Sequence, residues 1–337
     1  MTRRGIALAA VAAAATLPLA GLELAFRRGG RRLLYAPRAL PGEDALAPAI
    51  DALGGEVVRL RSRDGLRLAG RWLPAEAPKG RRTKATWVPD PHEAIVLLHG
   101  WSGSVAPDVV EYAPFLRRTA GVLALDFRGH GESDPAPTTF GMREVEDVAG
   151  ALAWLGERGI RRVALFGTSM GGMTAIAAVG ILGDGSLAGP DMDLAAPADV
   201  TPAPRPRIVA VVADSVAPEL EVAVASRIGA PFPRLVAGRL FAAAARTLGT
   251  DPRDTEPIRM IGLVEPVPLL LIHGEADRTV PIADGRRLAA AAGPSAEHWV
   301  VPEADHAAAH QAHREAYETR VTAALRAAFV PARDGSL

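Results

Sequence analysis

The 337-residue chain has no cysteine. That one absence removes disulfide staples, thiolate metal sites and cysteine nucleophiles together. It leaves the compartment open, because a cysteine-free chain folds equally well on either side of a membrane. An excess of charge is also missing: 38 Lys and Arg balance 38 Asp and Glu. Such a balance gives no electrostatic footprint for nucleic acid, and no nucleic-acid partner is expected. No cluster of metal ligands and no phosphate-cradling glycine loop can be read from the sequence, so no metal or other cofactor is expected. No segment repeats, which removes solenoid architectures.

What the chain does have is length and apolar residues. At 49% hydrophobic and 23% charged it has the balance of an ordinary globular protein, with enough chain to bury a large core unaided. One apolar run stands apart. Between Gly5 and Phe26 only Thr16, Pro18 and Glu23 interrupt it; Arg3 and Arg4 precede it, and Arg27, Arg28, Arg31 and Arg32 follow. About 20 such residues suffice to cross a bilayer. A signal-peptide cleavage site wants small residues, yet Pro18 precedes Ala20 and Glu23 precedes Ala25. Residues 1–34 therefore read as an uncleaved membrane anchor ahead of a domain at 35–337. The alternatives are an export signal, cleaved or twin-arginine, and a buried or lipid-surface helix. The arginines are denser after the run than before it, which favours a cytoplasmic domain.

After an irregular connector carrying Pro37, Pro41 and Pro48, residues 56–61 and 66–73 alternate apolar and polar around Asp64-Gly65. That is the pattern of a hairpin. Apolar runs at 94–98, 121–125, 208–213 and 267–272 read as strands covered on both faces, with a last strand at 297–301. Helical spacing marks 108–119, 143–158 and a terminal helix at 308–329. Strand and helix alternate, which predicts an α/β fold: a mostly parallel sheet, an antiparallel hairpin at its N-terminal end, and helices on both faces. Residues 79–90 read as a solvated basic loop and 183–207 as a long surface insertion. Ala-rich pieces at about 216–265, broken by Pro231, Pro233, Pro252 and Pro257, suit a small helical cap.

The stretch that carries chemistry is 162–173. An apolar strand ends at Gly167, Ser169 follows, and Gly171 and Gly172 open a small-residue helix. This is G-x-S-x-G in a strand–turn–helix setting. A serine at the tip of so sharp a turn has a strained backbone, and neighbours bearing a Cβ would collide with strand or helix. The helix that follows aims its first N–H groups at any oxyanion formed there.

Three more blocks accompany it in order. They are His99-Gly100 after a strand, Asp126-Phe127-Arg128-Gly129-His130-Gly131-Glu132-Ser133, and His273-Gly274-Glu275-Ala276-Asp277 followed by Asp305-His306. Over about residues 56–330 the chain thereby resembles the α/β-hydrolase family of serine hydrolases. Within it the resemblance is to the group of monoacylglycerol lipases, serine aminopeptidases and membrane-tethered hydrolases. Leu34-Tyr35-Ala36-Pro37 and Asp64-Gly65-Leu66-Arg67-Leu68 resemble the tethered members. The family order of nucleophile, acid and base implies Ser169, Asp277 and His306. A serine hydroxyl needs a base to take its proton, histidine has a suitable pKa, and a carboxylate fixes the imidazole tautomer. The resemblance also implies an oxyanion hole from the backbone N–H groups of Met170 and Trp101. Asp214, also just past a strand, is the rival acid. The rival bases are His298, inside a strand, and His310 and His313, on the terminal helix and expected to be solvated. Asp305 reads as a loop cap, His99 as a brace for its turn, and 128–131 as a tight loop without chemistry of its own.

The expected function is hydrolysis of a carboxylic ester, a lipid or acyl ester or thioester, through an acyl-enzyme. A peptidase on the same three residues is the alternative; it would want carboxylates near the site, and Glu219, Glu221 and Glu256 are candidates expected to face solvent. A non-catalytic tethered binding module is the third reading. Dehalogenase and epoxide-hydrolase chemistry would want an aspartate where Ser169 stands.

Overall fold

Side chains alternate across a strand, so a strand apolar at every position has to be covered twice. In the computed structural model, which describes residues 21–78, 83, 86–183 and 205–330, the apolar runs obey this rule. The strands are β1 (Glu56–Arg61), β2 (Arg67–Leu73), β3 (Glu93–Leu98), β4 (Gly121–Leu125), β5 (Arg162–Thr168), β6 (Arg207–Asp214), β7 (Leu269–Gly274) and β8 (Ala296–Val301). The helices are α1 (21–34), α2 (Ala47–Leu53), α3 (Ala106–Leu116), α4 (Glu144–Glu157), α5 (Met170–Leu182), α6 (Leu220–Ala225), α7 (Pro233–Leu248), α8 (Pro257–Met260), α9 (Ile282–Ala291), α10 (Ala309–Ala312) and α11 (Arg314–Phe329).

One eight-stranded sheet runs β1-β2-β4-β3-β5-β6-β7-β8. β2 pairs antiparallel with β1 and with β4, and the remaining pairings are parallel. Along β3, Ala94, Val96 and Leu98 enter one core while Ile95 and Leu97 enter the other. The first core is closed by Val145, Val148 and Leu152 of α4, Ile176 of α5 and Leu288 of α9. The second is closed by Val109 and Phe115 of α3 and by Tyr317, Val321 and Leu325 of α11. The fold is that of the α/β hydrolases, and the parallel order carries every strand end that precedes a candidate residue to the same edge of the sheet.

Several elements differ from the sequence reading. The connector after residue 33 is not irregular throughout: it holds the end of α1, a 3₁₀ turn at Glu43–Leu46, and α2. Pro48 lies in the first turn of α2, where a missing N–H costs nothing. The expected terminal helix is two helices, broken at His313 (φ −138°, ψ 58°). His310 precedes that break and faces the core. Far from being solvated, His310 is 1% exposed, against Tyr112, Phe115 and Tyr317, and its ring meets Glu111 at 3.0 Å. In the stretch between β6 and β7, α6 and α7 stand over the sheet edge, whereas Met260, Ile261 and Val264 are buried in the first core beneath them. Glu256 is not solvent-facing either; it is 4% exposed and accepts the Leu220 N–H at 3.0 Å.

α1 packs on α7 through Gly29 and Gly30. A Cβ on Gly30 would come within 2.8 Å of the Leu240 carbonyl, so the helices meet backbone to backbone. Arg246 of α7 pairs with Glu23 of α1 at 3.0 Å, and Leu34 is fully buried. Among the described residues no helix is long and apolar enough to cross a membrane. Most of the expected anchor (1–20) lies outside the described residues, as do 79–82 and 84–85 of the basic loop and 184–204 of the surface insertion.

Candidate active site

Ser169 sits between β5 and α5 with φ 49° and ψ −113°, a conformation non-glycine residues rarely adopt. Its neighbours explain how that strain is held. A Cβ on Gly171 would strike the carbonyl of Leu98 at the end of β3, one on Gly167 would strike Gly171, and one on Gly172 would lie 2.5 Å from Val216. The three glycines let strand, turn and helix close on one another, and the closure leaves no room for Ser169 to relax.

Asp277 follows β7, and its backbone N–H returns to the Gly274 carbonyl at 3.3 Å. Its Oδ1 accepts the N–H groups of Thr279 (2.8 Å) and Val280 (2.7 Å). Its Oδ2 accepts from His306 Nδ1 at 2.8 Å, and His306 Nε2 lies 3.0 Å from Ser169 Oγ. An ionised carboxylate can only accept, so Nδ1 bears the proton and Nε2 is left to accept from the serine hydroxyl. The structure thus brings Ser169, Asp277 and His306 into one hydrogen-bonded line, with Asp277 5% exposed behind the imidazole. A proton can pass from Oγ to Nε2 without any side chain moving.

The His306 loop is pinned from two sides. Asp305 accepts the N–H groups of Arg278 (3.0 Å) and His306 (2.8 Å), and its carboxyl is held well below the usual range by the Arg278 N–H, the Arg278 guanidinium and the His306 N–H. Ala307 N–H donates to Ser215 Oγ at 2.9 Å, and Ser215 donates in turn to Asp214. Asp214, the rival acid, spends its other oxygen on Tyr317 OH at 2.8 Å and does not touch His306. It braces the loop instead. Of the rival bases, His298 lies in β8 with Nε2 buried and unpartnered, and His313 bonds the Pro302 carbonyl.

Trp101 and Met170 line the same cavity as Ser169 and His306. Met170 opens α5, where a first-turn N–H has no partner inside the helix. Trp101 follows His99-Gly100, and the Gly100 backbone passes so close to Ser169 that a Cβ there would sit 3.7 Å from the serine Cβ. His99 braces this turn: its Nε2 accepts the Phe127 N–H at 3.1 Å and its Nδ1 donates to the Gly100 carbonyl at 2.7 Å. Burial, aided by neighbouring His130, pushes its pKa down to about 3, so it stays neutral. Arg128 makes bidentate pairs to Asp147 and to Asp64, tying its loop to α4 and to the β1–β2 turn.

The cavity measures about 580 Å³. Its apolar wall comes from Phe140, Met173, Ile228 and Leu240, and α1 completes it with Arg32 and Leu33. That contribution was not legible in a run read as membrane anchor. A larger groove of about 870 Å³ runs along β1 and α4 and contains none of the residues above.

A family model described as "Alpha/beta hydrolase family" matches residues 95–320. The protein YfhR of Salmonella typhi is 25% identical over 256 residues, 74% of each chain. An esterase from Pyrococcus furiosus has a similar structure: TM-score 0.60 at 20% identity, over 87% of this chain and 98% of that one. A bacterial membrane phospholipase A aligns with TM-score 0.56 at 16% identity, over 97% of this chain and 99% of that one. With the sheet order, the turn at Ser169 and a family match over two thirds of its length, the chain belongs to the alpha/beta hydrolase family.

Proposed function

We propose that the protein is a serine hydrolase of carboxylic esters. The observation that carries this reading is the unbroken line Asp277–His306–Ser169 at 2.8 and 3.0 Å, opening on an apolar-walled cavity. Ser169 Oγ attacks the ester carbonyl carbon as its proton passes to His306 Nε2. The oxyanion is taken up by the N–H groups of Met170 and Trp101. Collapse breaks the carbon–oxygen bond, His306 returns the proton to the leaving alcohol, and an acyl-serine remains. Water then attacks it by the same route in reverse order, releasing the acid and restoring Ser169. Asp277 keeps Nδ1 protonated and stabilises the imidazolium throughout.

The apolar wall supports an acyl chain, and the fold likeness to an esterase and to a membrane phospholipase A agrees with a lipid or acyl ester. The apolar run at 5–26 and the arginines after it support attachment to a membrane through the N-terminal segment, with the domain on the cytoplasmic side. Fluorophosphonate labelling of the wild type against Ser169→Ala tests the chemistry. Labelling of the wild type alone is expected; equal labelling of both, or of neither, overturns the reading. A peptidase has one observation in its favour, acidic Glu43 in the cavity wall. Faster cleavage of aminoacyl-nitroanilides than of nitrophenyl esters decides for it.

A further inference from the structure

The cavity beside Ser169 carries two guanidinium groups that no acid among the described residues pairs with. Arg32 reaches it from α1 and Arg227 from the turn after α6. Among the described residues neither guanidinium has a carboxylate within ion-pair distance, although Arg27, Arg234, Arg246 and Arg253 of the surrounding elements each hold one. The Arg227 side chain bonds the Ala223 carbonyl of the preceding helix α6 (2.7 Å) and lies over the Trp101 ring, 6.0 Å from its centre. Burial pushes its guanidinium below the usual range, and only Asp277, already committed to His306, pulls the other way.

The acids of the same wall form no ion pair with these arginines. Glu43 accepts from the Ser104 N–H at 3.2 Å and from the Ser104 hydroxyl at 2.8 Å. Asp108 has its pKa pushed up to about 8 by burial and by Glu111, Asp214 and Glu43, and so keeps its proton at neutral pH. A guanidinium left without a partner at the rim of an apolar cavity gains most from a planar anion, because its fork matches a carboxylate or a phosphate with two parallel hydrogen bonds.

We propose that Arg32 and Arg227 recognise an anionic group, a carboxylate or a phosphate, carried by the ester that Ser169 attacks. The inference rests on the ester-hydrolase reading and adds the substrate class. The apolar part of the substrate lies along Phe140, Met173 and Leu240, and the anion is held where α1 meets the cap. Neither arginine touches the scissile bond, so their contribution falls on KM and leaves kcat alone.

The test uses the full-length protein and two matched pairs of esters: 1-oleoylglycerol against its 3-phosphate, and ethyl hexanoate against monoethyl adipate. The expected result is a kcat/KM about tenfold higher for the charged member of at least one pair, which also tells phosphate from carboxylate. Arg32→Gln and Arg227→Gln should each raise KM for that member about tenfold while leaving kcat and the neutral ester unchanged. Arg239→Gln, on the outer surface of α7, should change nothing. No preference in the wild type, or equal losses on neutral and charged esters in the arginine variants, overturns the proposal while leaving the hydrolase reading intact. Binding of the phosphate ester to Ser169→Ala, followed by calorimetry, separates the other failure. Arginine-dependent binding with no turnover in the wild type upholds recognition and removes the hydrolase; absent binding of both this ester and monoethyl adipate removes recognition.

Discussion

Two regions meet at the cavity, and they are built on opposite principles. The sheet edge that carries Ser169, Asp277 and His306 is a lattice of backbone contacts: three glycines without space for a Cβ, two N–H groups on one Asp277 oxygen, and a buried carboxylate behind the imidazole. The facing wall, from α1, the α6–α7 segment and Asp108 of α3, meets the cavity with side chains: two guanidinium groups that have no acid partner among the described residues and one carboxyl that stays protonated. Backbone lattices hold geometry to fractions of an ångström, which proton transfer requires. Side-chain walls tolerate exchange, which selectivity requires. The difference assigns chemistry to the first region and choice of substrate to the second.

The comparison breaks most readily at Asp277. Asp277→Asn removes the group that sets the imidazole tautomer, and kcat on a short nitrophenyl ester should fall about 10,000-fold with KM little changed. A loss below about 100-fold would mean that the sheet edge is not where the chemistry is set.

Gly171→Ala comes next. Its methyl meets two carbonyls, Leu98 at the end of β3 and His99 in the braced turn after it, and neither can withdraw. The expected cost is about 3 kcal/mol in urea denaturation, with loss of soluble protein as the extreme. A variant as stable as the wild type would show the lattice to be looser than its contacts imply.

Asp108→Asn has the smallest expected effect on activity and probes the wall. The folded protein holds this carboxyl to about pH 8, whereas an unfolded chain loses the proton near pH 4. Unfolding between these values releases a proton, so the carboxyl lowers stability progressively as pH rises through the window. The Asn variant escapes that loss. Its melting temperature should match the wild type at pH 4 and exceed it by about 8 °C at pH 8, the gap growing in between. A gap independent of pH would mean that the carboxyl is not buried against its neighbours.

The strands and the nucleophile turn were legible because their signals are local. A run such as 94–98 has no polar position to offer solvent, and Gly167, Gly171 and Gly172 announce a backbone that needs the space. His310 misled, because a histidine on a terminal helix is usually solvated, and only the rings of Tyr112, Phe115 and Tyr317 around it say why this one is buried. Glu256 misled in the same way: charged side chains are seldom buried, and only the position of the Leu220 N–H says why this one is. Arg32 could not be found at all, since nothing in an arginine-rich flank tells which side chain faces a cavity.

By itself the sequence determined the alternation of strand and helix and the turn at Ser169, since apolar period and glycine placement act over a few residues. Tertiary structure showed that Asp277, which the family resemblance implied, and not its rival Asp214 reaches His306, and it alone decided that α1 closes the cavity with Arg32. Those outcomes depend on where remote segments come to lie, and pairing across 29 residues, or across 137 from Ser169 to His306, leaves no trace in local spacing.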